Sequence, residues 1–237
     1  MPNPFFHFKQ FTVYHDQCAM KVGTDGVLLG IWADIKNAHS ALDIGTGSGL
    51  IALMLAQRNS QLNIHAIDID TDAINQTKEN ILRSPFSTQI TCEQIPLDEF
   101  AKSTDVKYDL IVSNPPFFDK SLKSPDKQRT LARHTDSLLV EELIKKASKL
   151  LSNNGRLSII YPYDYKENLI LLAKENNLFI SRITNVYPTP NSAPKRILME
   201  LVYNKTDLTE DNLIIEKERH IYSDEFSALA KDFYLKL

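Results

Sequence analysis

Cysteine is nearly missing from this 237-residue chain, which has only Cys18 and Cys92. No C-x-x-C spacing occurs, so a disulfide framework and a dithiol redox centre are both excluded. The two residues read as reduced, buried thiols of a cytosolic protein. His7, His15, His39, His65, His134 and His220 show no metal-ligand spacing, and no metal is expected. No apolar run approaches the ~18 residues that cross a bilayer, and MPNPFFHFKQ lacks the apolar core and cleavage site of a signal peptide. A basic excess is absent too: the net charge is −3, unlike that of a general nucleic-acid binder. Repeats and low-complexity linkers are also lacking.

What is present is a globular composition, 43% hydrophobic and 24% charged, in a chain long enough for a sizeable core. SALDI (40–44), LNIHAI (62–67), TQITC (88–92), YDLIV (108–112) and RLSIIY (156–161) read as buried strands. Amphipathic stretches at 49–59 and 71–83 separate the first three. Leu139, Leu143, Ala147 and Leu150 mark a helix at 137–151, closed by Asn153-Asn154-Gly155. Strand and helix in alternation predict an α/β fold, a mostly parallel sheet with helices on both faces. The aromatic segment 4–15 predicts a small N-terminal β-hairpin, and TDGVLLGIWA (24–33) a helix leading into the sheet. FISRITNVY (179–187) and RILMELVYN (196–204) are joined by a loop too short for a crossover, so they should pair antiparallel. A last helix is expected over 223–236. The chain reads as one domain, with residues 1–22 as a hairpin extension on a catalytic core at 23–237.

Two loops carry chemistry. ALDIGTGSGL (41–50) ends a strand in Asp-x-Gly-x-Gly-x-Gly and opens a helix, so backbone N–H groups face whatever lies above the turn. A tight strand-to-helix connection would also use such glycines. Asp68, which ends the next strand 25 residues after Asp43, adds an acid suited to ribose hydroxyls. The turn lacks the last glycine of a dinucleotide site, with Ile51 or Ala52 there, and the Asp43 carboxylate would repel a pyrophosphate. The pattern resembles the class I S-adenosylmethionine-dependent methyltransferases. That resemblance implies a Rossmann-like, seven-stranded, mostly parallel sheet with an antiparallel C-terminal strand. It also implies S-adenosyl-L-methionine as cofactor, held by Asp43, Gly45, Thr46, Gly47 and Gly49 at its amino-acid part, by Asp68 with Ile69 at the ribose, and by Asn114. Gln94 and Ile95 fall where that family contacts adenine.

The second loop is SNPPFFDK (113–120), directly after the fourth strand. Asn114-Pro115-Pro116-Phe117 resembles the [Asn/Asp]-Pro-Pro-[Tyr/Phe] motif of methyltransferases that modify planar amino nitrogens. Such a nitrogen is a poor nucleophile because its lone pair is delocalised. Two acceptors, the Asn114 side-chain oxygen and the Pro115 carbonyl, favour the geometry needed for attack. Pro116 braces the corner, and Phe117 offers a flat base an apolar face. A buried proline-rich loop is the bland alternative, and for Phe118 packing is the expectation.

Met20-Lys21-Val22-Gly23-Thr24-Asp25, QRTLARHTDSLLVEELI (128–144) and KRILMEL (195–201) extend the resemblance over nearly the whole chain, to the bacterial tRNA valine-1 adenine-37 N6-methyltransferases. The match implies N6-methylation of the adenine beside the anticodon of tRNA valine 1 by a cytoplasmic enzyme, monomeric by default. By position Lys21, Thr24 and Asp25 lie near the methionine end of the cofactor or the mouth of the crevice; Thr24 or Asp25 would serve equally as a helix cap. Lys120, Lys123, Lys127, Arg129 and Arg133, set against one acid, Asp126, and followed by His134, form a local basic run for RNA phosphates, or a solvated loop. Lys195 and Arg196 form a second basic spot. Three alternatives stay open at this point: guanine-N2 methylation of ribosomal RNA, glutamine methylation of release factors, and an inactive cofactor-binding RNA chaperone.

Overall fold

The computed structural model describes residues 3–117 and 140–237. Strands β1 (Phe5–His7) and β2 (Thr12–Tyr14) form the antiparallel hairpin expected at the N-terminus. After α1 (Thr24–Trp32), strands and helices alternate: β3 (Ser40–Ile44), α2 (Leu50–Arg58), β4 (Asn63–Asp68), α3 (Thr71–Arg83), β5 (Ile90–Gln94), α4 (Leu97–Ser103) and β6 (Tyr108–Ser113). Further on come α5 (Val140–Leu150), β7 (Leu151–Pro162), α6 (Lys166–Glu175), β8 (Phe179–Tyr187), β9 (Arg196–Val202), β10 (Thr209–Ile214), the short pair β11 (Glu216–Glu218) and β12 (Ile221–Tyr222), and α7 (Asp224–Ala230).

The main sheet runs in the order β10-β8-β9-β7-β6-β3-β4-β5. Among its described strands only β9 runs against its neighbours. The strand order reverses between β3 and β6, so a crevice opens beyond their carboxyl ends. Both faces of the sheet are covered, which explains why β3, β4 and β6 read as near-continuous apolar runs. On β6, Leu110 and Val112 pack toward the side of α1 and α2, while Ile111 packs toward α5. Leu143, Ile144, Ala147 and Leu150 form the buried stripe of α5. Its first turn carries Glu141 and Glu142 and its last Lys149, each at the end the helix dipole favours. Asp70 caps α3 by accepting from the backbone N–H groups of Asp72 and Ala73. Trp32, at the end of α1, is buried, donates its indole N–H to Thr184 Oγ1 at 2.8 Å, and has the Arg182 guanidinium over its ring.

Several boundaries differ from the sequence expectation. Seven strands make the expected sheet, and β10 adds an eighth, parallel to β8. Strand β7 starts at Leu151, directly after α5, and Asn153-Asn154-Gly155 lies inside it at an irregular pairing with β6, not in a loop. Strand β5 sits two residues later than TQITC. The last helix ends at Ala230, because the chain then turns so that Phe233 and Tyr234 close over Phe8; Phe8 and Tyr234 form a bridge and their rings stack. Leu139 of the predicted α5 stripe lies outside the described residues. No helix among the described residues is long and apolar enough to cross a membrane.

Candidate active site

Four strand ends line the crevice, and their order is fixed by register. Ser113 of β6 pairs with Ile44 of β3, Ile44 with Ile67 of β4, and Asp68 with Gln94 of β5. The Ser113 hydroxyl also donates to the Ile44 carbonyl at 2.8 Å, which ties the start of the Asn-Pro-Pro-Phe corner to the start of the glycine turn.

The turn needs its glycines for two reasons. Gly45, Gly47 and Gly49 all have positive φ, at 71°, 58° and 79°, a region costly for other L-residues. A Cβ built on Gly45 or Gly47 would meet nothing within 4 Å, so the space above them is open to a ligand. The Gly45 and Thr46 N–H groups donate to the Ile67 carbonyl, and the Gly47 N–H donates to Asp68 Oδ2 at 2.8 Å. The acid that ends β4 therefore also holds the turn that follows β3. Burial raises the Asp68 carboxyl above the usual range, against the pull of its backbone hydrogen bonds. Asp43 lies deeper. Its Oδ2 accepts from the Thr46 hydroxyl at 2.7 Å and the Ala52 N–H at 3.2 Å. Burial pushes its pKa up to about 7. Its Oδ1 is buried and has no partner among the described residues.

Beyond Asp68, Ile69 is an exposed apolar side chain, and Ile95 donates its N–H to the Asp68 carbonyl at 2.9 Å. Gln94 is exposed, and its amide donates to Thr71 Oγ1 at 2.8 Å. The structure thus groups Asp68, Ile69, Gln94 and Ile95 along one rim.

At the corner Pro115 is buried, Pro116 exposed, and Asn114 and Phe117 half-buried. Asn114 Oδ1 is shielded from solvent and has no partner among the described residues. An unpaired buried acceptor normally costs about 1–3 kcal/mol, so it is suited to a donor brought by a ligand. The Asn114 amide nitrogen is 3.9 Å from where a Cβ on Gly26 would lie, so α1 closes in on the corner. Phe117 meets Tyr161 edge-on, with centroids 6.0 Å apart.

Lys21 and Thr24 are exposed. Neither Thr24 nor Asp25 caps α1: the N-cap is Gly23, with no side-chain cap bond, and Asp25 instead accepts from Arg196 at 2.8 Å. Lys120, Lys123, Lys127, Arg129, Arg133, His134 and Phe118 lie outside the described residues. Cys18 and Cys92 are free, as expected, but half-buried. Burial and then nearby carboxylates, Asp68 first, push the Cys18 thiol up to about 12, which keeps it protonated. Among the described residues, no group of three or more His, Cys, Asp or Glu side chains could hold a metal.

Three residues of α3 went unforeseen. Asn80 is fully buried; it accepts from the Tyr14 N–H at 2.9 Å and donates to the Tyr14 and Ser48 carbonyls at 2.8 Å. Thr77 donates to the Gly47 carbonyl at 2.7 Å, and Gln76 accepts from the Gln17 N–H. These contacts bind the N-terminal hairpin and the glycine turn to one helix. Their signal was available, since polar side chains at 76, 77 and 80 share the buried face with Ala73, Ile74 and Ile81.

Known proteins match both the fold and the whole chain. The model of the methyltransferase small domain covers residues 22–175. A protein from Parabacteroides distasonis named tRNA1(Val) (adenine(37)-N6)-methyltransferase is 52% identical over 100% of both chains. Proteins of that name from Flavobacterium psychrophilum and Trichodesmium erythraeum are 50% and 49% identical, over 98% of this chain and 100% and 98% of theirs. The chain belongs to the tRNA1(Val) (adenine(37)-N6)-methyltransferase family. Among solved structures, a protein described as a predicted O-methyltransferase from Agrobacterium tumefaciens aligns with a TM-score of 0.69 over 88% of this chain and 96% of its own, at 19% identity. NSun6 from Pyrococcus horikoshii aligns with a TM-score of 0.59 over 78% and 53%, at 16% identity. At such identities these two relate the family to the class I fold and to nothing finer.

Proposed function

We propose that this protein transfers a methyl group from S-adenosylmethionine to N6 of adenine 37 in tRNA valine 1. The observation that carries this reading is the buried Oδ1 of Asn114, without a partner among the described residues and set beside the glycine turn by the pairing of Ser113 with Ile44. Identity near 50% to full-length relatives of that name supports the choice of nitrogen and of RNA.

The residues present fit the cofactor. Open space above Gly45 and Gly47 leaves room for its amino-acid part, and among the described residues no donor competes for Oδ1 of Asp43. Asp68 would hold the ribose, with Ile69 and Ile95 supplying apolar contact and Gln94 a polar one at the rim. Lys21 and Thr24 would stand at the mouth. When bound, the cofactor supplies a methyl carbon on a positively charged sulfur, which leaves with the bonding electrons as a neutral thioether.

The chain's own residues do the rest. Asn114 Oδ1 and the Pro115 carbonyl accept the two N–H groups of the adenine amine, which frees its lone pair from the ring. The amine turns cationic as the new N–C bond forms, and the same two acceptors hold its protons until one is released to water. Proline fixes φ at Pro115, so its carbonyl is aimed before substrate arrives. Phe117 supports the plane of the base. An anticodon-loop adenine costs little to unstack into such a crevice. The basic run from Lys120 to Arg133, with His134, is suited by its charge to the RNA backbone. In this reading the enzyme works as a monomer in the cytoplasm, with residues 1–22 docked on a 23–237 core.

The test is product location. The protein is incubated with labelled S-adenosylmethionine and, in separate reactions, unmodified tRNA, ribosomal RNA and release factor, and the methyl is placed by mass spectrometry. Label at N6 of adenine 37 supports the reading; label at guanine N2 of ribosomal RNA or on a release-factor glutamine overturns it.

A further inference from the structure

Three segments of the chain that the mechanism leaves largely unused meet at one point. Arg196 is the first residue of β9, and its backbone is pinned on both sides, opposite Pro162 of β7 and Val186 of β8. Because β9 runs antiparallel in an otherwise parallel sheet, its first residue, not its last, reaches the crevice edge. There the Arg196 Nε donates to Asp25 Oδ2 at 2.8 Å, and Nη1 donates to the Lys195 carbonyl at 3.0 Å. The guanidinium carbon lies 4.6 Å from the centroid of the Phe117 ring. Tyr161 meets the same ring edge-on, and Tyr165 in turn packs on Tyr161 with centroids 5.1 Å apart.

An arginine at a crevice mouth invites a phosphate role, but this one is poorly placed for it. Its charge is offset by Asp25, two of its nitrogens are committed, and its flat side lies on a ring. Both partners are about one-quarter exposed, Arg196 at 27% and Asp25 at 25%. A cation over an aromatic face is worth most when it is partly desolvated and held still, and both conditions are met here.

We propose that Arg196 is a positioning residue: clamped by Asp25, its guanidinium occupies one face of Phe117 and presents the opposite face to the target adenine. The proposal rests on the methylation reading above, and it assigns the late strand and the start of α1 to a single task. Asp25 acts at one further remove, by aiming Arg196.

Kinetics on an unmodified tRNA valine 1 transcript test it, with the unaltered protein as the first arm. No methylation of adenine 37 in that arm removes the reading on which the proposal rests, before any variant is compared. Given activity there, Arg196→Ala should lower kcat/KM about 10-fold, the scale of a partly desolvated cation–π contact, with cofactor affinity by calorimetry within twofold. In a Phe117→Leu background the same change should cost less than twofold, because Arg196 acts through that ring. The slope of log affinity against log salt should not move. Full additivity with Phe117→Leu together with a slope reduced by about one, the mark of a lost phosphate contact, overturns the proposal. So does an Arg196→Ala enzyme within twofold of the unaltered one. If Arg196→Ala fails to fold, Asp25→Asn, which frees the guanidinium without removing it, carries the same comparisons.

Discussion

The Gly47 N–H donates a 2.8 Å hydrogen bond to Oδ2 of Asp68. Two loops that are separate in sequence are thereby one structural unit: the acid that would hold a ribose also sets the turn that would receive the amino acid. Asp68 Oδ1 is used as well, by the Asp70 N–H at 3.0 Å, so the carboxylate cannot swing away.

Replacing Asp68 with alanine should weaken S-adenosylmethionine binding about 10- to 100-fold, the range for a lost hydrogen bond to a charged group. Asp68→Asn keeps an acceptor for Gly47 and should lose less. Titration calorimetry on the three proteins orders them.

Asn114→Ala separates chemistry from binding. Loss of one preorganised acceptor should lower kcat by about 10²–10³-fold, while cofactor affinity stays within about threefold. Single-turnover methylation and calorimetry on the same preparation check both halves, and retention of most activity would remove Asn114 from the mechanism.

The pH dependence of stability should report Asp43. Its folded pKa is raised to about 7 by burial, against about 3.9 in an unfolded chain. Between those values the folded state binds more protons than the unfolded one. The stability that comes from a neutral Asp43 is therefore complete below pH ~4, falls as pH rises, and is gone above ~7. Asp43→Asn, which cannot ionise, should gain on the unaltered protein from pH 5 to pH 8. Urea denaturation at both pH values measures the difference, and a constant gap between the two proteins contradicts it.

Asn80→Ala strips partners from the Tyr14 N–H and carbonyl and from the Ser48 carbonyl. The expected loss is about 2–4 kcal/mol in denaturant unfolding, since each buried group left unpaired costs on the order of 1 kcal/mol or more. Limited proteolysis should cut first between Tyr14 and Gly23, where the hairpin has lost its anchor.

Much of this architecture was legible because apolar runs and turn residues carry it. SALDI, NIHAID and YDLIVS are buried on both faces, and Gly45, Gly47 and Gly49 stand where positive φ is required. The antiparallel pairing of β8 with β9 followed from a loop too short to cross over. β10 was not legible: TEDNLI is polar and largely exposed, and it enters the sheet through backbone pairing with β8 at an edge. Asn153-Asn154-Gly155 looked like a helix stop, yet a Cβ on Gly155 would sit 2.6 Å from the Tyr108 carbonyl, so the glycine serves close strand packing. The candidate site was read as two loops, and the strands that lead into them pair side by side in the sheet. The side chains that brace those loops, Asn80, Thr77 and Arg196, act through contacts distant in sequence that no local pattern spells out. Asp25 shows the same limit, since its partner lies 171 positions away.

Trp32 is the chain's single tryptophan, and it shares α1 with Asp25. Seven residues of helix, about 10 Å, separate an indole sealed against Thr184 and Arg182 from the carboxylate that grips Arg196 at the crevice. Light absorbed at one end of that helix would thus report a shift of the other. A movement of α1 on ligand binding would break the indole's hydrogen bond or admit water, and its emission would change without any added label. The protein would then carry its own optical gauge of whether the crevice is at rest.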